Sequence, residues 1–155
     1  MLDDEELVSW TEESCGAIIA AASAVPPETP VASAGDWTIT DLVAHVSTGL
    51  AGWFPFNMAK PPGQGDLAAA MGSAPPIPDA FEDRLDYLRE AVAKYVALAR
   101  GMDLATPVEG FFVPATGRFW ALRAATEFSV HAWDAQRAIG HQFDIPADAA
   151  ATCVD

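Results

Sequence analysis

Two acid–histidine pairs stand at helical spacing in this sequence, and they are the residues whose types could do chemistry. Asp41 precedes His45 by four positions, and Glu127 precedes His131 by four. Residues four apart lie on one face of a helix, so the members of a pair can reach a common point. Imidazole and carboxylate both bind divalent transition metals. With three histidines and 22 acids in 155 residues, chance gives roughly 0.4 such pairs, so spacing alone shows only where to look.

The second pair falls on a predicted helix that has polar side chains on two nearly opposite sides. One side contains alanines together with Arg118, Ser129 and Gln136. The other contains Arg123, Glu127, His131 and Asp134. Large apolar neighbours border the second side, so we predict that Glu127 and His131 point inward and that the first side faces water. An inward carboxylate needs a cation, and either a metal ion or an ion pair between Arg123 and Glu127 meets that need.

Small residues follow His45 on its own helical face, namely Thr48, Gly49 and Gly52. Glycine inside a helix lowers its stability, so its presence there needs a reason. One reason is room for a metal and a ligand beside His45. The other is close packing of two helices, with His45 as a hydrogen-bonded core residue. The residues by themselves leave both interpretations open.

Apolar periodicity predicts the four helices that would position these side chains. Their approximate bounds are Asp3 to Ala24, Thr38 to Met58, Pro78 to Gly101, and Thr116 to Ile139. Thr38 and Asp41 fit a capping box at the start of the second helix. The connections 59–77 and 102–117 are long, and the latter is apolar enough for a short hairpin. The pattern predicts an all-α fold, a four-helix bundle with two long crossover connections.

Composition excludes several classes of partner. The net charge is −14 and no Lys/Arg cluster exists, so nucleic acid and anionic membrane surfaces would be repelled. Cys15 and Cys153 have no metal-ligand spacing, and we expect Cys15 to be a small core residue. The acidic N-terminus does not resemble a signal peptide, and no apolar run approaches a membrane span. We therefore expect a cytoplasmic protein.

The two pairs lie in segments that together resemble a known family. Residues 36–45 read DWTITDLVAH, and residues 127–134 read EFSVHAWD, followed by AIG at 138–140. The paired signature W-T-x-x-D-L-x-x-H and E-x-x-x-H-x-x-D is much more specific than either half. It resembles the metal-binding domain of the mycothiol-dependent maleylpyruvate isomerase family, within the wider DinB/YfiT-like superfamily. The resemblance extends from the first helix to Pro146.

This resemblance implies a bundle that holds zinc on His45, Glu127 and His131. The same ligand types also bind nickel or iron, so they do not fix the metal. Asp134 matches the family pattern, and it would either orient a ligand or pair with Arg137. His141 is outside the signature, and we expect it to face solvent at the helix end. For the walls of a pocket we consider four residues: Trp53, Phe56, Trp120 and Arg123.

The resemblance also implies a function and its partners. Family enzymes carry a second domain that supplies an arginine to the active site, and this chain stops where that domain would begin. We therefore predict a metal-binding domain over residues 1–142, with residues 143–155 as a linker or the start of a second domain. The expected activity is isomerisation or S-transfer on a small electrophile, with mycothiol or a similar thiol as cosubstrate. The alternative functions are a non-catalytic binding module and a metal-dependent hydrolase. Two protein partners are considered: a separate C-terminal domain and a second copy of the chain in a homodimer.

Overall fold

The computed structural model describes residues 1–154, with side chains described through Thr152. The expectation that Cys153 is not a metal ligand thus lies outside the described side chains. The helices are α1 (Asp4–Ser23), α2 (Ile39–Thr48), α3 (Phe54–Met58), α4 (Leu67–Met71), α5 (Phe81–Gly101), α6 (Gly117–Ala138) and α7 (Ala147–Val154). A π-helical segment, Gly49–Trp53, joins α2 to α3 without a break. The all-α class is confirmed, and each predicted helix is present with ends shifted by a few residues.

Local capping explains where α2 begins. The Thr38 hydroxyl accepts a hydrogen bond from the backbone N–H of Asp41 at 3.4 Å, and the Asp41 carboxylate accepts one from the Thr38 N–H at 2.8 Å. These reciprocal bonds form the predicted capping box. Hydrogen bonds that the Asp41 carboxylate accepts from the Thr38 hydroxyl, at 2.7 Å, and from the Thr38 N–H hold the pKa of Asp41 below its usual range, since they favour the charged carboxylate. Asp41 therefore serves the start of α2.

One continuous apolar core lies between the long helices. α1 packs along α6 and also against α5, while α2 contacts both α5 and α6. Fully buried large side chains come from each of these four helices, for example Ile18, Leu42, Leu88 and Phe128. Burying a side chain of this size stabilises the fold by about 1.5–3 kcal/mol. The core thereby fixes α2 beside α6, the two helices that carry the acid–histidine pairs.

The prediction that one side of α6 faces water is wrong. That side packs against α1, where Ala125 and Ala132 are completely buried. Its polar residues find partners across this contact: Trp10 donates to the Ser129 hydroxyl at 2.7 Å, and Gln136 donates to the Ala17 carbonyl at 2.9 Å. Alanine permits close approach of two helix backbones, so an alanine-rich face suits packing as well as it suits solvent.

The two glycines after His45 have different roles. Gly49 lines an open cavity beside His45. A Cβ on Gly52 would instead lie 2.4 Å from the backbone nitrogen of Ala74, so the connection between α3 and α5 crosses directly over Gly52. Gly52 thus permits close packing, but against a loop segment and not against a second helix, and the room for a metal beside Gly49 stays a prediction. The π-helical segment contains both glycines and ends at Trp53, which lines the same cavity.

The loop before α6 contains the expected hairpin and is tied to the connection after α3. Strand β1 (Pro107–Val108) pairs antiparallel with β2 (Ala115–Thr116). Between the strands, the buried Glu109 carboxylate accepts hydrogen bonds from the backbone N–H groups of Phe111 and Gly65. These bonds hold the pKa of Glu109 below its usual range. One carboxylate thus joins both long connections.

Helix α7 is not predicted by the apolar pattern. It packs against α6, and Ala149 is buried there. The backbone N–H of Leu2 donates to the Thr152 hydroxyl at 2.8 Å, which joins the two ends of the described chain. No helix in residues 1–154 is long and apolar enough to cross a lipid bilayer.

Candidate metal centre

Three side chains from α2 and α6 meet at one point. The Nε2 atom of His45 lies 3.0 Å from Oε1 of Glu127, and the Nε2 atom of His131 lies 3.3 Å from the same oxygen. One potential ligand atom from each of the three residues lies within 4.8 Å of the other two. The structure therefore brings together the three residues that the resemblance implies as metal ligands.

The three side chains differ in their access to solvent. The His131 side chain is 13% exposed, whereas Glu127 and His45 are 37% and 42% exposed. The predicted inward orientation is therefore clear for His131, while the other two lie at the rim of a cavity. A half-open cluster leaves space for a further molecule to approach, as a catalytic metal site requires and a closed structural site does not.

Trp37 covers one side of the two imidazole rings. Its ring centroid lies 4.9 Å from that of His45 and 5.9 Å from that of His131. Trp37 immediately precedes the N-cap residue Thr38, so the capping box that starts α2 also places this indole. Packing by a large ring restricts both histidines to the orientation in which they face Glu127.

Asp134 and Ser33 form a hydrogen-bond chain that ends on the Nδ1 atom of His131. Its Nδ1 atom lies 3.1 Å from a carboxylate oxygen of Asp134, whose other oxygen accepts from the Ser33 hydroxyl at 2.6 Å. An imidazole that donates from Nδ1 to a carboxylate presents an unprotonated Nε2 on its other side. Arg137, the alternative partner for Asp134, instead lies over the Trp133 ring. Asp134 is therefore in place to orient His131.

The electrostatics of the cluster favour positive charge next to Glu127. Hydrogen bonds from His131 and then His45 hold the pKa of Glu127 well below its usual range, although partial burial opposes this shift. Burial lowers the pKa of His131, but hydrogen bonds with Glu127 and Asp134 outweigh burial and raise it overall. A protonated imidazole or a metal ion would each supply the favoured charge.

A cavity of about 270 Å³ opens beside the cluster. Its lining comprises His45, Thr48, Gly49, Trp53, Phe54, Arg123, Glu127 and Phe128. Trp53 and Arg123 are thus among the predicted wall residues that do face it. Trp120 and Phe56 are not in the lining. Trp120 is buried and makes a T-shaped contact with Trp53, and Phe56 lies under the Lys60 ammonium.

Some residues of the site escaped the sequence patterns. Ser33 lies outside the signature, and nothing in its local sequence marks it as a partner of Asp134. Phe54 and Phe128 pack edge to face, with ring centroids 5.4 Å apart. In the sequence they cannot be distinguished from ordinary core residues. The proposed ion pair of Arg123 with Glu127 is not formed in the described chain, where Glu127 contacts the two histidines. His141 is exposed, as predicted, and is not part of the cluster.

The donor atoms fit a small divalent ion. In a tetrahedral complex with ligand bonds near 2.1 Å, neighbouring ligand atoms lie about 3.4 Å apart. The two histidine–glutamate separations of 3.0 and 3.3 Å come close to that value. Two neutral imidazoles and one carboxylate also match the ligand types of catalytic zinc and of non-haem iron. The cluster could accordingly accept such an ion with small side-chain movements.

Comparison with known proteins identifies a family. The sequence model of the mycothiol maleylpyruvate isomerase N-terminal domain matches residues 28–136. That span covers most of the chain and includes all three residues of the cluster. Comparison with curated proteins and with solved structures gives no match. Because the matched span exceeds half of the chain, the protein belongs to the mycothiol maleylpyruvate isomerase N-terminal domain family.

Proposed function

We propose that this chain is the metal-binding domain of a thiol-dependent isomerase or S-transferase for a small electrophile. His45, Glu127 and His131 would hold the ion, most simply zinc, with nickel and iron as alternatives. The supporting architecture would be a four-helix bundle with two crossover connections, over residues 1–142, in a cytoplasmic protein. The observation that carries the proposal is the convergence of these three side chains at the edge of an open cavity.

The cosubstrate thiol would come from outside the chain. Cys15 is completely buried, and burial raises the pKa of its thiol far above its usual range. A buried neutral thiol is a poor nucleophile. When bound, a divalent ion would lower the pKa of an added thiol and polarise a substrate carbonyl. Mycothiol is the thiol in the family's name, and we propose it or a similar small thiol.

The residues of the chain would perform three tasks around this chemistry. His131 is fixed by Asp134 so that its Nε2 atom faces the cluster. Trp37 keeps both imidazole rings in place and shields one side from water. Trp53 gives the cavity an apolar wall on which the carbon skeleton of a substrate can pack, whereas Phe54 and Phe128 are buried in the core beside it.

Turnover with maleylpyruvate and mycothiol tests the proposal. We expect zinc-loaded protein to convert the cis substrate to its trans isomer, followed by NMR, only when thiol is present. Because the ion would hold the thiol, Glu127→Ala should reduce the rate by about 10³-fold or more. The matched control is His141→Ala, which removes an exposed histidine outside the cluster.

Other outcomes of this assay favour the alternatives. Consumption of substrate without any thiol would favour a metal-dependent hydrolase. If the protein binds metal but consumes no thiol with any electrophile offered, the non-catalytic binding module gains support. The second domain implied by the resemblance can be added as a separate chain to ask whether it restores turnover.

Asp134 provides a finer test of the metal site. We expect Asp134→Asn to weaken zinc binding about 10–100-fold, because an amide can donate to Nδ1 of His131 and favour the wrong tautomer. Competition with a chromophoric zinc chelator measures the change. Asp83→Asn, which alters an exposed acid on α5, is the control and should bind zinc as the wild type does. Equal zinc affinities for the two variants would contradict the orienting role.

A further inference from the structure

We propose that Arg123 makes the metal-centre cavity selective for small carboxylates, holding the anionic group while the rest of the ligand packs on the aromatic wall. The inference rests on the proposed function, since it concerns a ligand in the same cavity. It assigns to this chain a cationic binding position that neither the acid–histidine cluster nor the capping box contains.

Arg123 differs from the other basic residues in lacking a protein partner. The chain has eight Lys and Arg residues against 22 acids. Of the other seven, four form ion pairs with carboxylates. Arg84 donates to two backbone carbonyls, and Lys60 and Arg137 lie over aromatic rings. Within residues 1–152, the Arg123 guanidinium has neither a hydrogen bond nor an ion pair.

Arg123 is exposed to solvent and lies at the edge of the cavity, which it helps to line. It lies one helical turn before Glu127 on α6, and both residues line the cavity with His45. Glu127 would be its natural neutralising partner at that spacing. That carboxylate is instead held by the two histidines at 3.0 and 3.3 Å. The guanidinium therefore remains available, although the chain as a whole carries a net charge of −14.

The chemistry of the lining identifies the ligand class. A guanidinium binds a carboxylate through two parallel hydrogen bonds, which fix direction as well as charge. The partly exposed Trp53 ring presents apolar surface in the same cavity. A ligand with a carboxylate at one end and an unsaturated or aromatic carbon frame would satisfy both features. At about 270 Å³, the cavity limits this ligand to a small molecule.

Benzoate and its neutral analogue benzamide are suitable probes. Titration calorimetry on zinc-loaded wild type is expected to show tighter binding of benzoate than of benzamide. Arg123→Gln should weaken benzoate binding about tenfold and leave benzamide unchanged, because it removes a charge-assisted hydrogen bond. Arg123→Lys keeps the charge without the paired geometry and should retain part of the preference. Arg137→Gln, on the same helix but outside the cavity lining, is the control and should match wild type.

Measuring zinc content in the same samples separates the two proposals. Full zinc content with an unchanged benzoate preference in Arg123→Gln would overturn the role of Arg123 and leave the metal site standing. Absence of zinc, nickel and iron from wild type after incubation with each metal would overturn the proposed function and, with it, the inference built on that site. A wild type that binds zinc but shows no preference between the probes would also refute the carboxylate selectivity.

Discussion

Alanine in place of Glu127 is expected to reduce bound zinc from about one equivalent per chain to background, and alanine at His45 or His131 to do the same. Three protein ligands are the usual set for a catalytic zinc ion, and two are rarely enough to hold it through dialysis. Loss of Glu127 also removes the negative charge that both histidines contact. Elemental analysis after dialysis against metal-free buffer measures the change.

Thermal unfolding gives a second measure of the same site. A ligand at a thousand times its Kd stabilises the folded state by about 4 kcal/mol. For a chain of this length, that corresponds to an increase in Tm of roughly 8–16 °C. His141→Ala, an exposed histidine outside the cluster, should show the wild-type increase, while Glu127→Ala should show none. A metal-induced increase that survives in Glu127→Ala would place the bound ion elsewhere.

Gly52→Ala is expected to destabilise the fold by about 1–3 kcal/mol, as overpacking of a close contact does. The added Cβ would lie 2.4 Å from the Ala74 nitrogen and 2.6 Å from its Cα atom. Because these are backbone atoms, no side-chain rotation relieves the contact, and the crossing connection must move. Urea unfolding followed by circular dichroism measures the loss as a lower midpoint.

Gly16→Ala is the matched control and should change stability in the opposite direction. Gly16 lies inside α1, and a Cβ there would meet no atom within 4 Å. Alanine at such a position is expected to stabilise the helix by about 0.5–1 kcal/mol. If both variants shift the midpoint in the same direction, the contact between Gly52 and Ala74 does not limit this substitution.

Features encoded in short segments could be predicted from the sequence. The capping box at Thr38 and Asp41 depends on residues three positions apart, and its residue types suffice to identify it. The four long helices follow from apolar spacing in the same way. The members of the cluster were named from the paired signature, and their assignment as metal ligands stays a prediction that zinc analysis will test.

Features that depend on distant contacts could not be predicted. Ser33 reaches Asp134 across 101 positions of the chain, and no local pattern announces that contact. The buried face of α6 was misjudged because alanine occurs both on solvated faces and between close-packed helices. Only the identity of the neighbouring helix distinguishes the two cases, and that is a property of the tertiary fold.

The contact between His45 and Glu127 has a topological consequence. These residues are 82 positions apart, and the chain between them contains α4, α5 and both long connections. An ion bound to both would close this whole segment into a loop for as long as it stays bound, so that parts of the segment could open while its two ends remained together. Metal occupancy would then act at a distance. With both ends of the segment held together, local opening of either connection would gain less conformational entropy and would therefore cost more free energy.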